Sequence, residues 1–217
     1  NEFVAVFNLN ELIDPPEEWI SGQVSTMKVA VEDSEHQGLH TWAKSLAVLE
    51  SDDVEAAEIL ATADQLLEWS KLAGSNRPIV QVLRAIIYVE MDRFDEALAD
   101  IDEAISCGIT HWLCFALRGE ILRRAGKESE ALVDFARAIP AAPADFLSGI
   151  LHLQAITYLA MGQFDETLAA LDHAIQLDPD GDYLFARRGV TYQLIERYLE
   201  ALVDFDRAVE LDPNYAW

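Results

Sequence analysis

The sequence predicts an all-α solenoid, a row of antiparallel helix pairs that share one core. Three observations carry this expectation. A short phrase recurs four times at a nearly fixed interval, columns of small and large residues keep the same register, and the breaks fall where helical hairpins must turn.

The phrase is Phe94-Asp95-Glu96-Ala97-Leu98, then Ser129-Glu130-Ala131-Leu132, Phe164-Asp165-Glu166-Thr167-Leu168 and Tyr198-Leu199-Glu200-Ala201-Leu202. The aligned residues Ala97, Ala131, Thr167 and Ala201 stand 34, 36 and 34 residues apart, and an insertion of two near residues 143–147 accounts for the longer interval. Ala85, Gly119, Ala155 and Gly189 form a small column, Tyr88, Leu122, Tyr158 and Tyr192 a large one three residues on, and Ala104, Ala138, Ala174 and Ala208 a third. A small residue on the first helix of a pair admits the second closely, and Ile101, Phe135, Leu171 and Phe205 fill the gap that remains. Turns inside the pairs are expected at Met91-Asp92, Ala125-Gly126, Met161-Gly162 and Ile195-Glu196, with breaks between pairs at Pro143, Pro179 and Pro213.

These marks divide the chain into hairpins at 78–111, 112–147 with the two-residue insertion, 148–181 and 182–215. Residues 37–77 read as a degenerate fifth hairpin, and 1–36 as an arm followed by a helix that starts at Asp14 with Pro15, Pro16, Glu17 and Glu18. Residues 216–217 sit where a further repeat would begin, and the lack of an initiator Met suggests a piece of a longer product.

Gly, Tyr, Ala, Phe, Ala and Pro at these offsets within a 34-residue period resemble the tetratricopeptide repeat. Residues 182–214 carry the fullest set, with Gly189, Tyr192, Ala201, Phe205, Ala208 and Pro213, whereas the unit from Pro78 has Ala85, Ile101 and Ile109 in place of Gly, aromatic and Pro. The resemblance implies a right-handed superhelix with a divergent N-terminal helical segment, whose concave wall is lined by first helices and receives a peptide or helix of a partner. Carried onto this chain, the wall comprises Ile79, Val82, Ile86, Val89 and Glu90, then Leu113, Ala116, Glu120, Arg123 and Arg124. It continues with Gly149, His152, Ile156, Leu159 and Ala160, then Tyr183, Ala186, Val190, Gln193 and Leu194. Relatives that clamp a chaperone's terminal carboxylate use Lys and Asn there; Val82, Leu83 and Ile86 do not fit that role. An apolar groove is expected instead, with Arg123 and Arg124 to meet an acidic residue of the ligand, unless facing first helices pack there and cover one another, or the apolar arm (Phe3, Val4, Val6, Phe7, Leu9) fills it from within.

Three hairpins carry Arg and Asp at one pair of matched columns: Arg84 with Asp100, Arg118 with Asp134, and Arg188 with Asp204. The fourth replaces both at once, with Gln154 and Ala170. Residues that change together predict ion pairs within each hairpin, worth about 0 to 1 kcal/mol if exposed.

A formal charge of -24, from 39 acidic against 15 basic residues, opposes nucleic acid and anionic membranes, whose binding relies on basic side chains. No apolar run approaches the roughly 20 residues needed to span a bilayer. Two cysteines, Cys107 and Cys114, suit a reducing compartment and point to the cytoplasm. Cys107, His111 and Cys114 supply three potential zinc ligands where a tetrahedral site wants four, and His36 with His40 lacks the spacing of a zinc peptidase. No phosphate cradle, nucleophile elbow or catalytic triad can be read, so neither a cofactor, a metal nor an enzyme is expected. The function expected is that of a protein interaction scaffold or adaptor. Self-assembly through the groove or uncapped ends is the alternative, as is a regulatory portion of a larger signalling or enzymatic chain.

Overall fold

Eight helices follow one another in the computed structural model, which describes residues 77–108 and 111–213, the side chains of residues 77–80, 83 and 90 excepted. They are α1 (Arg77–Glu90), α2 (Phe94–Ser106), α3 (Trp112–Arg124), α4 (Glu128–Ala138), α5 (Ala144–Ala160), α6 (Phe164–Leu177), α7 (Asp182–Leu194) and α8 (Tyr198–Leu211). No strand occurs among the described residues, so the chain is all-α, a solenoid of antiparallel hairpins α1/α2, α3/α4, α5/α6 and α7/α8. The expected arm over 1–36, all but the last residue of the hairpin over 37–77, and the end at 216–217 lie outside the described residues. The chain divides into two units between Thr110 and His111: the first holds α1 and α2, the second α3 to α8.

Each hairpin closes with the same backbone device. The N–H groups of Arg93, Lys127, Gln163 and Arg197 donate to the carbonyls of Tyr88, Leu122, Tyr158 and Tyr192, the large column of the sequence. This six-residue closure requires a left-handed residue just past the first helix. Gly126 (φ 73°) and Gly162 (φ 70°) adopt it without cost, but Asp92 (φ 56°) and Glu196 (φ 62°) adopt it with a side chain. Glu196→Gly is therefore expected to stabilise the chain by about 0.5 to 1 kcal/mol, the relieved left-handed penalty less the extra chain entropy of glycine. A rise of about 2 °C in the thermal midpoint would report it; a fall would mean that Glu196 makes a contact that outweighs its backbone strain.

In the second unit, α6 packs on α5 and α7, and α4 on α3 and α5. Leu151, Ala155, Ala170, Leu171, Ala174 and Leu184 form one buried cluster, against which Ile139, Leu147, Ile175 and Tyr183 pack. Hairpins α5/α6 and α7/α8, with Ile139 just past α4, thus contribute to a core that neither could close alone. α5 sits between its neighbours, and its only carboxylate is Asp145 in the first turn. The extra residues of the long interval are absorbed here. A 3-10 turn (Ile139–Ala141) leads to α5, which starts at Ala144, ahead of the unit boundary expected at 148. The added turn is anchored by Phe146, whose ring lies 5.3 Å from that of Trp112 on α3.

The small and large columns meet as expected. A Cβ on Gly119 would stand 2.8 Å from Cε1 of Phe135, and one on Gly189 would stand 2.6 Å from Cε1 of Phe205. Gly faces Phe in these hairpins, whereas Ala85 shares its hairpin with Ile101 and Ala155 shares its own with Leu171.

Candidate functional site

The three expected Arg–Asp pairs form, each between the two helices of one hairpin. Arg84 Nε and Nη2 donate to Oδ2 and Oδ1 of Asp100, both at 2.6 Å. Arg118 meets Asp134 at 2.6 and 2.8 Å, and Arg188 meets Asp204 at 2.8 and 2.7 Å. All three carboxylates are buried, so these are not the exposed pairs for which the sequence-based energy holds. Burial makes each partner costly to remove alone, because a charge would be left without its counter-ion. Arg188 also donates to Asp172 at 2.7 Å, a bond from the last hairpin to the one before it that pairing within hairpins does not predict. Asp172 lies outside the two columns compared, which hid it.

The residues expected to line an inner wall fall into two groups. Val82, Ile86 and Val89 on α1 are buried, as are Leu113, Ala116 and Glu120 on α3. The side chains of Ile79 and Glu90 lie outside the described residues. Glu120 is spoken for by Arg123, whose Nε and Nη2 reach its two carboxylate oxygens at 2.7 Å each. Arg123 is thus already neutralised, and Arg124 is engaged as well. The basic pair expected to await a ligand is in use within the fold.

The wall on α5 and α7 is different. Gly149 and His152 are buried, with Ala186, but Ile156, Leu159, Tyr183 and Val190 are half-buried, and Ala160, Gln193 and Leu194 are exposed, Leu194 at 57%. The His152 ring stands edge-on to Tyr183 at 4.9 Å, joining the two helices. Burial, reinforced by Arg187 and then Arg123, pushes its pKa down to about 3, so the imidazole is neutral. Its Nε2 is buried without a hydrogen-bond partner. Arg187 is half-buried and makes no ion pair among the described residues.

The three residues weighed as zinc ligands have other surroundings. Cys107 is exposed on the first unit; Cys114 is buried in the second, where burial pushes its thiol up to about 12. His111 caps α3, its Nδ1 accepting the N–H of Leu113 at 3.4 Å, and burial lowers its pKa. His36 and His40 lie outside the described residues. No helix among the described residues is long and apolar enough to cross a membrane.

Against known families, residues 148–180 and 183–215 match the tetratricopeptide repeat model. Those two hairpins are tetratricopeptide repeats. Among solved structures, this repeat protein is similar to residues 41 to the end of MamA from Desulfovibrio magneticus RS-1, at 19% identity and a TM-score of 0.70. That likeness covers 87% of this chain and 100% of the other. It is also similar to YrrB, described as a TPR protein with an unusual peptide-binding site, at 23% identity and a TM-score of 0.60, covering 74% of this chain and 79% of YrrB. No curated protein matches. At these identities the structural likeness is one of fold.

Proposed function

We propose that this repeat protein is an interaction scaffold that receives an apolar segment of a partner polypeptide along α5 and α7. The carrying observation is the open stretch of Ile156, Leu159, Val190 and Leu194 on two first helices, whereas Ile86 on α1 and Glu120 on α3, which match Ile156 and Val190, are buried. Apolar side chains left in water at adjacent repeat positions gain free energy when a ligand covers them. Gln193 offers an amide to an extended backbone or polar side chain, and Arg187 offers a guanidinium to an acidic one. A family built to present such faces, and a relative in fold described as having a peptide-binding site, support the reading.

Selection of a displayed peptide library on the purified chain tests it. Peptides rich in Leu, Ile or Val with an acidic residue are expected, and Leu159→Ser with Val190→Ser should weaken their binding roughly tenfold or more by calorimetry. A library that yields no binder, or binders indifferent to both substitutions in a chain with an unchanged melting curve, would overturn the proposal.

A further inference from the structure

The last second helix, α8, differs from its counterparts on a face that hairpin stacking does not use. Leu199 is 80% exposed and Val203 66%, one helical turn apart, with Tyr198 at 63% and Leu202 at 57% beside them. The positions matching Leu199 and Val203 are Asp95 and Ala99 on α2, Ser129 and Val133 on α4, and Asp165 and Ala169 on α6. Only α8 is apolar and large at both.

Two kinds of exposure are mixed on this helix and can be separated. Leu202 and Val209 match Leu168 and Ile175, which are half-buried on α6, the helix on which α7 packs. A following helix would cover Leu202 and Val209 in the same way. Leu199 and Val203 are another matter, because Ser129, Val133, Asp165 and Ala169 stay exposed although α5 packs on α4 and α7 on α6. Stacking of a further hairpin therefore leaves Leu199 and Val203 in water. Their apolar surface calls for a partner of another kind.

Charge indicates which. At the matching position, Asp172 accepts Arg188 at 2.7 Å, whereas Asp206 on α8 makes no ion pair among the described residues; nor does Glu196 at the preceding turn. Arg197 and Arg207 are each held three residues on, by Glu200 and Glu210. The face therefore has an apolar centre and no uncompensated cation on α8, while Asp206 and Glu196 carry uncompensated negative charge. A second copy of a chain with formal charge -24 would bring like charge to it, and so would an anionic membrane.

We propose that the outer face of α8 is a docking surface for an amphipathic helix of another protein, one carrying Lys or Arg beside its apolar stripe. Leu199 and Val203 take the apolar stripe, with Tyr198 and Leu202 at its edge. Asp206, one turn past Val203 on the same helix, takes a basic side chain of that partner. This surface is separate from the stretch on α5 and α7, and neither proposal depends on the other.

The test uses a fluorescent amphipathic helix of Leu and Lys, about 18 residues long so as to span the face, and a Leu and Glu counterpart, with binding followed by anisotropy. The Leu/Lys helix is expected to bind and the Leu/Glu helix not to. Leu199→Ser with Val203→Ser leaves net charge untouched, so attraction to an acidic surface in general would survive it. A loss of affinity of about tenfold or more in that variant, with an unchanged melting curve, supports the docking surface. Asp206→Asn should weaken binding less and flatten its salt dependence, while Leu159→Ser with Val190→Ser should leave it unchanged. Equal affinity in wild type and the Leu199/Val203 variant overturns the proposal. So does a wild-type dimer in sedimentation that the variant abolishes, since a second copy would then be the occupant, or co-flotation of the wild type with phosphatidylcholine/phosphatidylserine vesicles.

Discussion

Asp134→Ala is expected to destabilise the chain by about 3 kcal/mol, the scale of breaking a buried ion pair from one side. The carboxylate is buried and takes two guanidinium bonds from Arg118. Its loss strands a cation that the fold holds 5.9 Å from the Phe115 ring, with little water to replace the lost partner. The hairpin α5/α6 shows what compensates: it has Gln154 and Ala170 at the two positions and forms its hairpin without charge. Arg118→Gln with Asp134→Ala should therefore recover most of the loss, to within about 1 kcal/mol of wild type. A double-mutant cycle by urea unfolding reads the coupling directly. A cost below about 1 kcal/mol for Asp134→Ala alone would mean that the pair behaves like an exposed one.

Gly119→Ala is expected to cost about 1 to 2 kcal/mol, although alanine is the better helix former. The helical gain is about 1 kcal/mol, and overpacking a filled core this closely costs about 2 to 3. The second effect wins because the new Cβ would stand 2.8 and 2.9 Å from two atoms of the Phe135 ring, which is itself fully buried. Gly189→Ala faces a similar clash with Phe205, but that ring is half-buried and has room to yield, so its cost should be the smaller. Adding Phe135→Leu to Gly119→Ala recreates the Ala155 and Leu171 combination and should restore stability to within about 1 kcal/mol. Thermal melts of the three variants decide it, and a Gly119→Ala chain more stable than wild type would show that the ring moves freely.

Repetition made much of this fold legible. The turn at Ile195-Glu196 was readable because three other hairpins break at the same offset, and the pairing of Arg188 with Asp204 because hairpin α5/α6 lost both members together. What repetition does not encode is how far each residue's surroundings close around it. Ile86 and Ile156 occupy the same column, yet one is buried and the other half open. Arg123 looked available because its bond to Glu120 joins residues three apart on one helix, a local pairing that a comparison across repeats passes over. The face of α8 was hidden for the opposite reason. In the sequence Leu199 and Leu202 belong to a recurring phrase, and the departure of Leu199 from Asp95 and Asp165 signals nothing without its exposure.

The reverse turns have a consequence for how the chain comes into being. Each is tied by a bond spanning five residues, and each charged lock joins positions 16 apart, so a hairpin is complete within a single repeat length. Little of what stabilises one hairpin must await a remote stretch of polypeptide, which favours rapid folding. As the chain leaves the ribosome, each new hairpin of the second unit can add its apolar face to the one made just before it, which favours assembly in the order of translation.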